Sequence, residues 1–562
     1  MRNDRPLDCR GAMDNEEDRV GELEQLLRDE RALRIRAESR AAEQAEKASI
    51  WRTRAEERAE RIQRLIAEPK RRRGRRARSA QPARAPVPTP AVPGTPRSAG
   101  RLAAVTVAAG VEDHHAQLLT PFALERDLST PSSLAEADLV IVDGPNLKRL
   151  EASDSVRFAD WLRLEGRQPF IFLADTAADP GHHWVAQADL VVGSDIGRFA
   201  AAGLPTMSLV PPFDPTVENP IGWTPAPPDA VVTSDDRDGA RVLFGGDDAI
   251  IGVETSSLSR PPAWLVTAAA RGVPLAATDI SSSSRLELSR ASAAARRWAY
   301  RHHTVTRRAA EIARHAGLDI RDPQPHVAAI LVSMRPDEAA AALDMLLRQT
   351  HRPLSVVVGL HGVQPTPDFT KSIDRVGAAL PTEVLQLSER LSLGECLNRT
   401  IEASGAEILA KIDDDDFYGP AHIEDGVHAL EYSGADIVGK GAQFTYVETE
   451  DRTVLRRQRE QETFLGGSPT GATMLVRRRV WEQVGFPHRP RQVDVLFTRA
   501  ARHNGSQVYA GSPWEFCYVR SARAHTWTAA AGTFLAGTAE LWSGLLPERM
   551  VAPDLAKEIA AS

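Results

Sequence analysis

Cysteine is scarce in this 562-residue chain: Cys9, Cys396 and Cys517 are the only three, and they lie far apart. They form no Cys-x-x-Cys pair and no even set, which excludes a zinc knuckle and a disulfide-built secreted framework. Long apolar runs are missing too. No stretch approaches the roughly 20 residues needed to span a bilayer, and the charged N-terminus lacks the apolar centre of a signal peptide. A cytoplasmic protein is therefore expected. The net charge of -7 carries no general nucleic-acid signal, so no specific nucleic-acid partner is expected.

Two further absences organise the N-terminal part. Between Gly21 and Pro69 there is neither glycine nor proline, and Glu, Arg, Ala and Leu dominate. Val20, Leu23 and Leu27, then Ala37, Ala41 and Ala45, fall at mixed spacings of three and four, with Ile50 five further on. This pattern predicts a long helix over 1–68 with a thin, Ala-rich seam. Such a helix would self-pair as a coiled coil and make a homo-oligomer, or remain a solvated single helix. Residues 69–101 contain no acid but ten Lys or Arg and seven Pro. They cannot bury a core and read as a disordered linker. Their basic block, Lys70 to Arg78, could contact anionic lipid at the inner face of the membrane, bind nucleic acid without specificity, or stay hydrated.

What remains is long enough for two α/β domains. Residues 102–320 alternate short apolar runs with helical patterns, with candidate strands at 103–108, 138–142, 170–173, 190–192 and 207–210. Val210-Pro-Pro-Phe-Asp-Pro215, Ala270-Arg-Gly-Val-Pro-Leu-Ala-Ala-Thr278 and Arg301-His-His-Thr-Val-Thr-Arg307 resemble the GT-B, Rossmann-like glycosyltransferase domain of spore-maturation (CgeB-type) proteins. That family binds its donor through an acidic residue ahead of the Gly-x-Pro segment. Here Trp264-Leu-Val-Thr267 supplies none, and no Gly-rich phosphate loop lies near residue 110. The middle domain is expected to be a non-catalytic recognition or packing module.

The densest chemical signal is Lys411-Ile-Asp-Asp-Asp-Asp-Phe-Tyr-Gly-Pro420, four carboxylates directly after the apolar run Ala406 to Ile412. At the carboxyl edge of a sheet, unpaired carboxylates repel one another, and a hard divalent cation with oxygen ligands relieves them. A solvated acidic turn ahead of a helix is the plainer alternative. The surrounding residues favour the first reading. His326-Val-Ala-Ala-Ile-Leu-Val-Ser-Met-Arg335, the helix over 339–349, the strand within His351 to Gly359, Leu393-Gly-Glu-Cys-Leu-Asn398, the aspartate run and Gly471-Ala-Thr-Met-Leu-Val-Arg477 follow one another in order. Together they resemble the family 2 glycosyltransferases of GT-A fold.

The resemblance implies a GT-A-like nucleotide-sugar domain over 324–545, with 546–562 as a tail. It implies donor contacts from Ser333, Arg335, His361, Asn398, Asp413 and Asp414, and Mg²⁺ or Mn²⁺ held by Asp415, Asp416 and a late-loop His525. Asp494, where the family usually has Glu-Asp and this chain has Val493-Asp494, would act as base, with a helix N-cap as its structural alternative. Trp514 and Trp527 would stack on sugars or lie in a core. The implied activity is inverting transfer from a nucleotide-diphosphate sugar to a hydroxyl of a glycan or lipid-linked acceptor, in surface glycan or glycoconjugate synthesis. Two alternatives stay open: both α/β domains active in succession, or a coiled-coil scaffold that binds glycan or nucleotide without turnover. Every proposed catalytic residue lies in 320–562, so that piece is expected to act alone.

Overall fold

A computed structural model describes most of residues 106–561; the longer stretches it leaves out are 111–122, 126–136, 148–154, 223–232 and 522–530. The expected helix over 1–68, the linker over 69–101, His525 and Trp527 all lie outside the described residues.

The middle region opens with β1 (Thr106–Gly110), β2 (Ala123–Glu125), β3 (Leu139–Asp143), β4 (Phe170–Ala174), β5 (Leu190–Gly193) and β6 (Thr206–Ser208). These form a parallel sheet in the order β2-β1-β3-β4-β5-β6. Strands β3, β4 and β5 are buried along their whole length, as expected where helices cover both faces. Alternation sends Val140, Val142, Phe170 and Phe172 to one face, against Phe158 and Trp161. It sends Leu139, Ile141, Ile171 and Leu173 to the other, against Ala309 and Ile312 of the helix Val305–His315.

Next come β7 (Thr233–Arg237), β8 (Ala240–Phe244), β9 (Ile250–Thr255) and β10 (Leu275–Ala276), in the order β10-β9-β8-β7. The helices Ala263–Ala270 and Arg285–His302 follow β9 and β10 and pack on each other.

The C-terminal region begins with β11 (Val327–Ser333), β12 (Leu354–His361), β13 (Thr382–Leu387) and β14 (Ile408–Ile412). It continues with β15 (Phe417–Tyr418), β16 (Ile437–Gly439), β17 (Gln443–Val447), β18 (Arg452–Arg456) and β19 (Thr463–Phe464). It ends with β20 (Leu475–Arg477), β21 (Val508–Ala510), β22 (Phe516–Arg520) and β23 (Glu540–Ser543). One sheet of eight strands runs β13-β12-β11-β14-β20-β16-β21-β19, and a second of five runs β15-β22-β17-β18-β23. Strands β11 to β14 are mutually parallel, and β20 then pairs antiparallel with β14. The chain moves from β11 outward to β12 and β13, then returns to lay β14 on the other flank of β11. The carboxyl ends of β11 and β14 thus border a topological switch point, the crevice where open α/β sheets take ligands.

Local sequence explains the connecting helices. Pro336 occupies the first turn of the helix Pro336–Leu347, with Asp337 and Glu338 beside its positive end. Ser392 and Glu395 close a capping box on the helix Leu393–Glu402.

One hydrophobic core runs from Val253 and Leu265 through Ala295 and Ala299 to Val327, Leu331 and Leu475, and Val92–Ser562 forms one compact unit. Residues 546–562, read from sequence as a tail, carry the helix Leu555–Ala561, and its Leu555 and Ile559 lie in that same core.

Buried ion pairs fasten the helix Arg285–His302 to the C-terminal region. Arg297 meets Asp425 at 2.8 Å, Glu515 at 2.6 Å and the Ala552 carbonyl at 3.0 Å. Arg296 meets Glu462 at 2.9 Å, and Arg301 grips both oxygens of Glu424. No described helix is long and apolar enough to cross a membrane.

Candidate functional site

Strand β14 reads Ile-Leu-Ala-Lys-Ile and is buried throughout, so it delivers Asp413 to Asp416 directly at the carboxyl edge. Beside it β11 delivers Ser333 and Arg335. The Ser333 hydroxyl donates to Asp414, and the Arg335 guanidinium bonds Asp414 and reaches Asp415 Oδ2 at 2.9 Å. Burial pushes the Asp414 carboxyl up, against the pull of Ser333 and Arg335. Burial also works against the Arg335 charge, but Asp414 and Asp415 outweigh it and leave its pKa raised. Sequence reading left the repulsion within the run to a cation. Here Arg335 relieves part of it from one side, and Lys411 relieves part from the other.

Lys411 is the residue that sequence reasoning missed. Its Nζ lies 2.5 Å from Asp413 Oδ1 and 3.7 Å from Asp494 Oδ1. Burial lowers its pKa, yet Asp413 and Asp494 prevail and hold it above the ordinary lysine value. A lysine inside a fully buried strand has no reason to be there without a carboxylate partner. That was the available signal.

Asp494 stands in the first turn of the helix Val493–His503. Its side chain is 26% exposed, and burial pushes its pKa up against the pull of Lys411. The close approach depends on Gly471: a Cβ there would come within 2.1 Å of Asp494 Oδ2. The cap position of that helix is Gln492, and Asp494 lies inside its first turn.

Asp416 is the most deeply placed of the four. Its Oδ1 accepts from the Val519 amide at 2.9 Å, while Oδ2 is buried without a hydrogen-bond partner. Burial and then Asp415 and Asp413 push this carboxyl well above the usual range. An orphaned buried carboxylate oxygen beside the partly exposed Asp415 suits a hard cation that also takes ligands from phosphate and water. Among the described residues no group of three or more His, Cys, Asp or Glu side chains is placed to hold a metal ion, so a cation at Asp415 and Asp416 would need its other ligands from phosphate and water.

Of two further expected donor contacts, one stands at this edge and the other does not. His361 ends β12, one strand beyond Ser333 at the same edge, and is 9% exposed. Asn398 is not brought to the aspartates. Its amide donates to the Phe486 carbonyl at 2.9 Å and accepts from Trp481 and the Phe486 amide, each at 2.9 Å. These bonds brace the helix Leu393–Glu402 against the segment around Phe486. Trp514 is a core residue, 1% exposed, whose indole bonds Ser289.

No family model and no curated protein matches the chain. Among solved structures, TarS of S. aureus is similar at 16% identity over 34% of this chain and 36% of that one, with a TM-score of 0.28. TarS 1–349 in complex with UDP-GlcNAc gives 16% identity over 37% and 62%, with a TM-score of 0.30. The mannosyltransferase PcManGT from Pyrobaculum calidifontis, in complex with GDP-Man and Mn²⁺, gives 16% over 36% and 59%, with a TM-score of 0.30. The alignment spans 36% of TarS and about three fifths of the two shorter chains. Scores this low decide neither the fold nor the activity of this chain. What is established is a mixed α/β chain with a charged crevice at a switch point.

Proposed function

We propose that this chain is a metal-dependent, inverting glycosyltransferase that moves a sugar from a nucleotide-diphosphate donor to a hydroxyl acceptor. The carrying observation is the meeting of Asp413 to Asp416 with Ser333 and Arg335 at the β11–β14 switch point, with Asp494 joined to the same cluster through Lys411. The order of motifs along the sequence supports the same reading.

In this proposal Ser333, Asp413 and Asp414 contact the ribose and base side of the donor, and His361 stands at the adjoining strand end. Asp415 and Asp416, with His525 as a further candidate, would hold Mg²⁺ or Mn²⁺, which when bound would neutralise the diphosphate and stabilise the leaving nucleotide. Arg335 pairs with Asp414 and Asp415 in this structure, and a diphosphate entering the crevice would compete for that guanidinium. Asp494 accepts the proton of the acceptor hydroxyl. Its raised pKa makes it a stronger base than a free aspartate, and Lys411 keeps it ionised. One displacement at the anomeric carbon inverts its configuration. The middle region takes no part in the chemistry and serves as a recognition and packing module.

The test is thermal-shift screening of nucleotide-diphosphate sugars with and without Mn²⁺, on the wild type and on Asp415→Asn. A donor that raises the wild-type melting temperature with metal, and does so weakly or not at all for Asp415→Asn, supports the reading. Survival of metal-dependent turnover in both Asp415→Asn and Asp414→Asn would sink it.

A further inference from the structure

A second concave site lies away from the aspartates. The segment after β9, the end of the helix Arg285–His302, the helix Val305–His315 and the helix Leu555–Ala561 enclose a cleft of about 770 Å³. That volume falls within the roughly 300–1,000 Å³ typical of small-molecule sites. None of Asp413 to Asp416, Asp494 or Lys411 lines it.

Its charge is one-sided. Arg301, Arg307, Arg308 and Arg314 line the cleft, and among the described lining residues Glu311 is the only carboxylate. Glu311 is held by Arg308 Nη1 at 2.5 Å, and Arg301 is held from outside the cleft by Glu424 and by Asp554 at 3.3 Å. The other Arg308 amino group meets His303 Nδ1 at 2.9 Å, and the Arg308 Nε is buried without a hydrogen-bond partner. Arg314, on the exposed side of its helix, adds a fourth cation to the lining.

Guanidinium groups in a confined space suit phosphate oxygens, which they bond in pairs. Ser256 and Ser257 add hydroxyls to the same wall. Apolar surface is present as well: Leu258, Pro261 and Ile559 line the cleft, and the Trp298 ring lies 4.6 Å from that of His303. An inorganic anion would leave that surface uncovered, whereas the organic part of a phosphorylated molecule would lie against it.

We propose that this cleft is a binding site for a phosphate-bearing small molecule, separate from the crevice at the aspartate run. The ligand is a nucleoside diphosphate or a phosphate-terminated glycan or lipid precursor, and the shared chemistry is a phosphate or diphosphate among arginines. The site does not depend on the transferase reading, since it draws on none of that reading's residues.

Isothermal titration of the full chain with inorganic pyrophosphate and with UDP, in EDTA, tests the proposal. Without metal the aspartate run repels anions, so binding there is suppressed while binding in the cleft is not. The wild type and Asp415→Asn should bind pyrophosphate alike. Arg307→Gln combined with Arg314→Gln should weaken it by at least about tenfold, as loss of charge-assisted hydrogen bonds requires. Arg314→Glu alone, a change on an exposed helix face, should weaken it as well while the circular dichroism stays native. UDP bound more tightly than pyrophosphate identifies a nucleotide ligand, and equal affinities identify a phosphate-terminated one. No binding to the wild type, or binding that both arginine variants leave intact, overturns the proposal.

Discussion

Asp494 faces Lys411 across 3.7 Å, and Lys411 reaches back to Asp413 at 2.5 Å, so a single ammonium links the proposed base to the acidic run. Lys411→Met should therefore do more than lower activity. Without the ammonium, burial and the Asp413 charge both act unopposed to raise the Asp494 pKa. A base that ionises later works only at higher pH, so the acidic limb of the pH–activity profile should move upward. General-base catalysis contributes about 10²–10⁴-fold, and much of that should be lost near neutrality and partly return at alkaline pH. Rates of donor hydrolysis and transfer measured across pH decide the matter. An unmoved acidic limb would separate Asp494 from the chemistry.

Gly471→Ala tests position rather than charge. The added methyl would sit 2.1 Å from Asp494 Oδ2, far inside van der Waals contact, so the carboxylate must move. A displacement near 1 Å in a reacting group costs about 100-fold in rate. The melting temperature should fall by only a few degrees, because a partly exposed side chain has room to swing outward. A variant with full activity would show that the observed Asp494 position does not matter.

How much of this was legible beforehand follows from particular residues. The parallel strands were, because Phe170 to Leu173, Leu190 to Val192 and Val327 to Val332 are continuous apolar runs, as doubly covered strands must be. The aspartate run announced itself as well. Three things were not readable. Lys411 and Asp494 are 83 positions apart, and only the pairing of β14 with β20 brings Gly471 and Asp494 toward the strand that carries Lys411. Asn398 fits a motif in sequence, yet its partners Trp481 and Phe486 come from a later segment. The helix Arg285–His302 reads as the end of the middle domain, whereas Arg296, Arg297 and Arg301 answer carboxylates of the C-terminal region.

That last point changes what should be expected of the piece 320–562. On sequence grounds it holds every proposed catalytic residue and would act alone. In the structure its removal from residues 285–302 leaves Glu515, Asp425 and Glu462 buried without their arginines, and it opens the core at Ala295 and Ala299. The fragment should be insoluble or lack a cooperative melting transition. In the full chain, Arg297→Met should cost roughly 3–5 kcal/mol, the range for removing one partner of a buried pair. Denaturant titration measures this, and a loss below about 1 kcal/mol would place the ion pairs with exposed ones of little consequence.

His422 gives the pH dependence of stability. The ring is 1% exposed, 4.9 Å from Tyr418 and 6.0 Å from Phe516, and burial, aided by Lys440, lowers its pKa from 6.5 to about 3. In the unfolded chain this histidine takes its proton near pH 6.5; in the folded chain it remains neutral until about pH 3. Between those values the unfolded state binds more protons, so acidification favours unfolding, and the contribution is fully present only above pH 6.5. One such group contributes a slope of about 1.4 kcal/mol per pH unit within that window. Buried carboxyls with raised pKa values, Glu431 at about 7 among them, slope the opposite way, so the wild-type curve is a difference between the two sets. The informative measurement is therefore the slope of wild type minus that of His422→Phe, from urea titrations between pH 4 and 6. Phenylalanine keeps an aromatic ring between Tyr418 and Phe516 but cannot take a proton, so the variant should lose stability on acidification less steeply by about one proton's worth. Parallel slopes would mean that His422 titrates alike in both states, and that its burial leaves its protonation untouched.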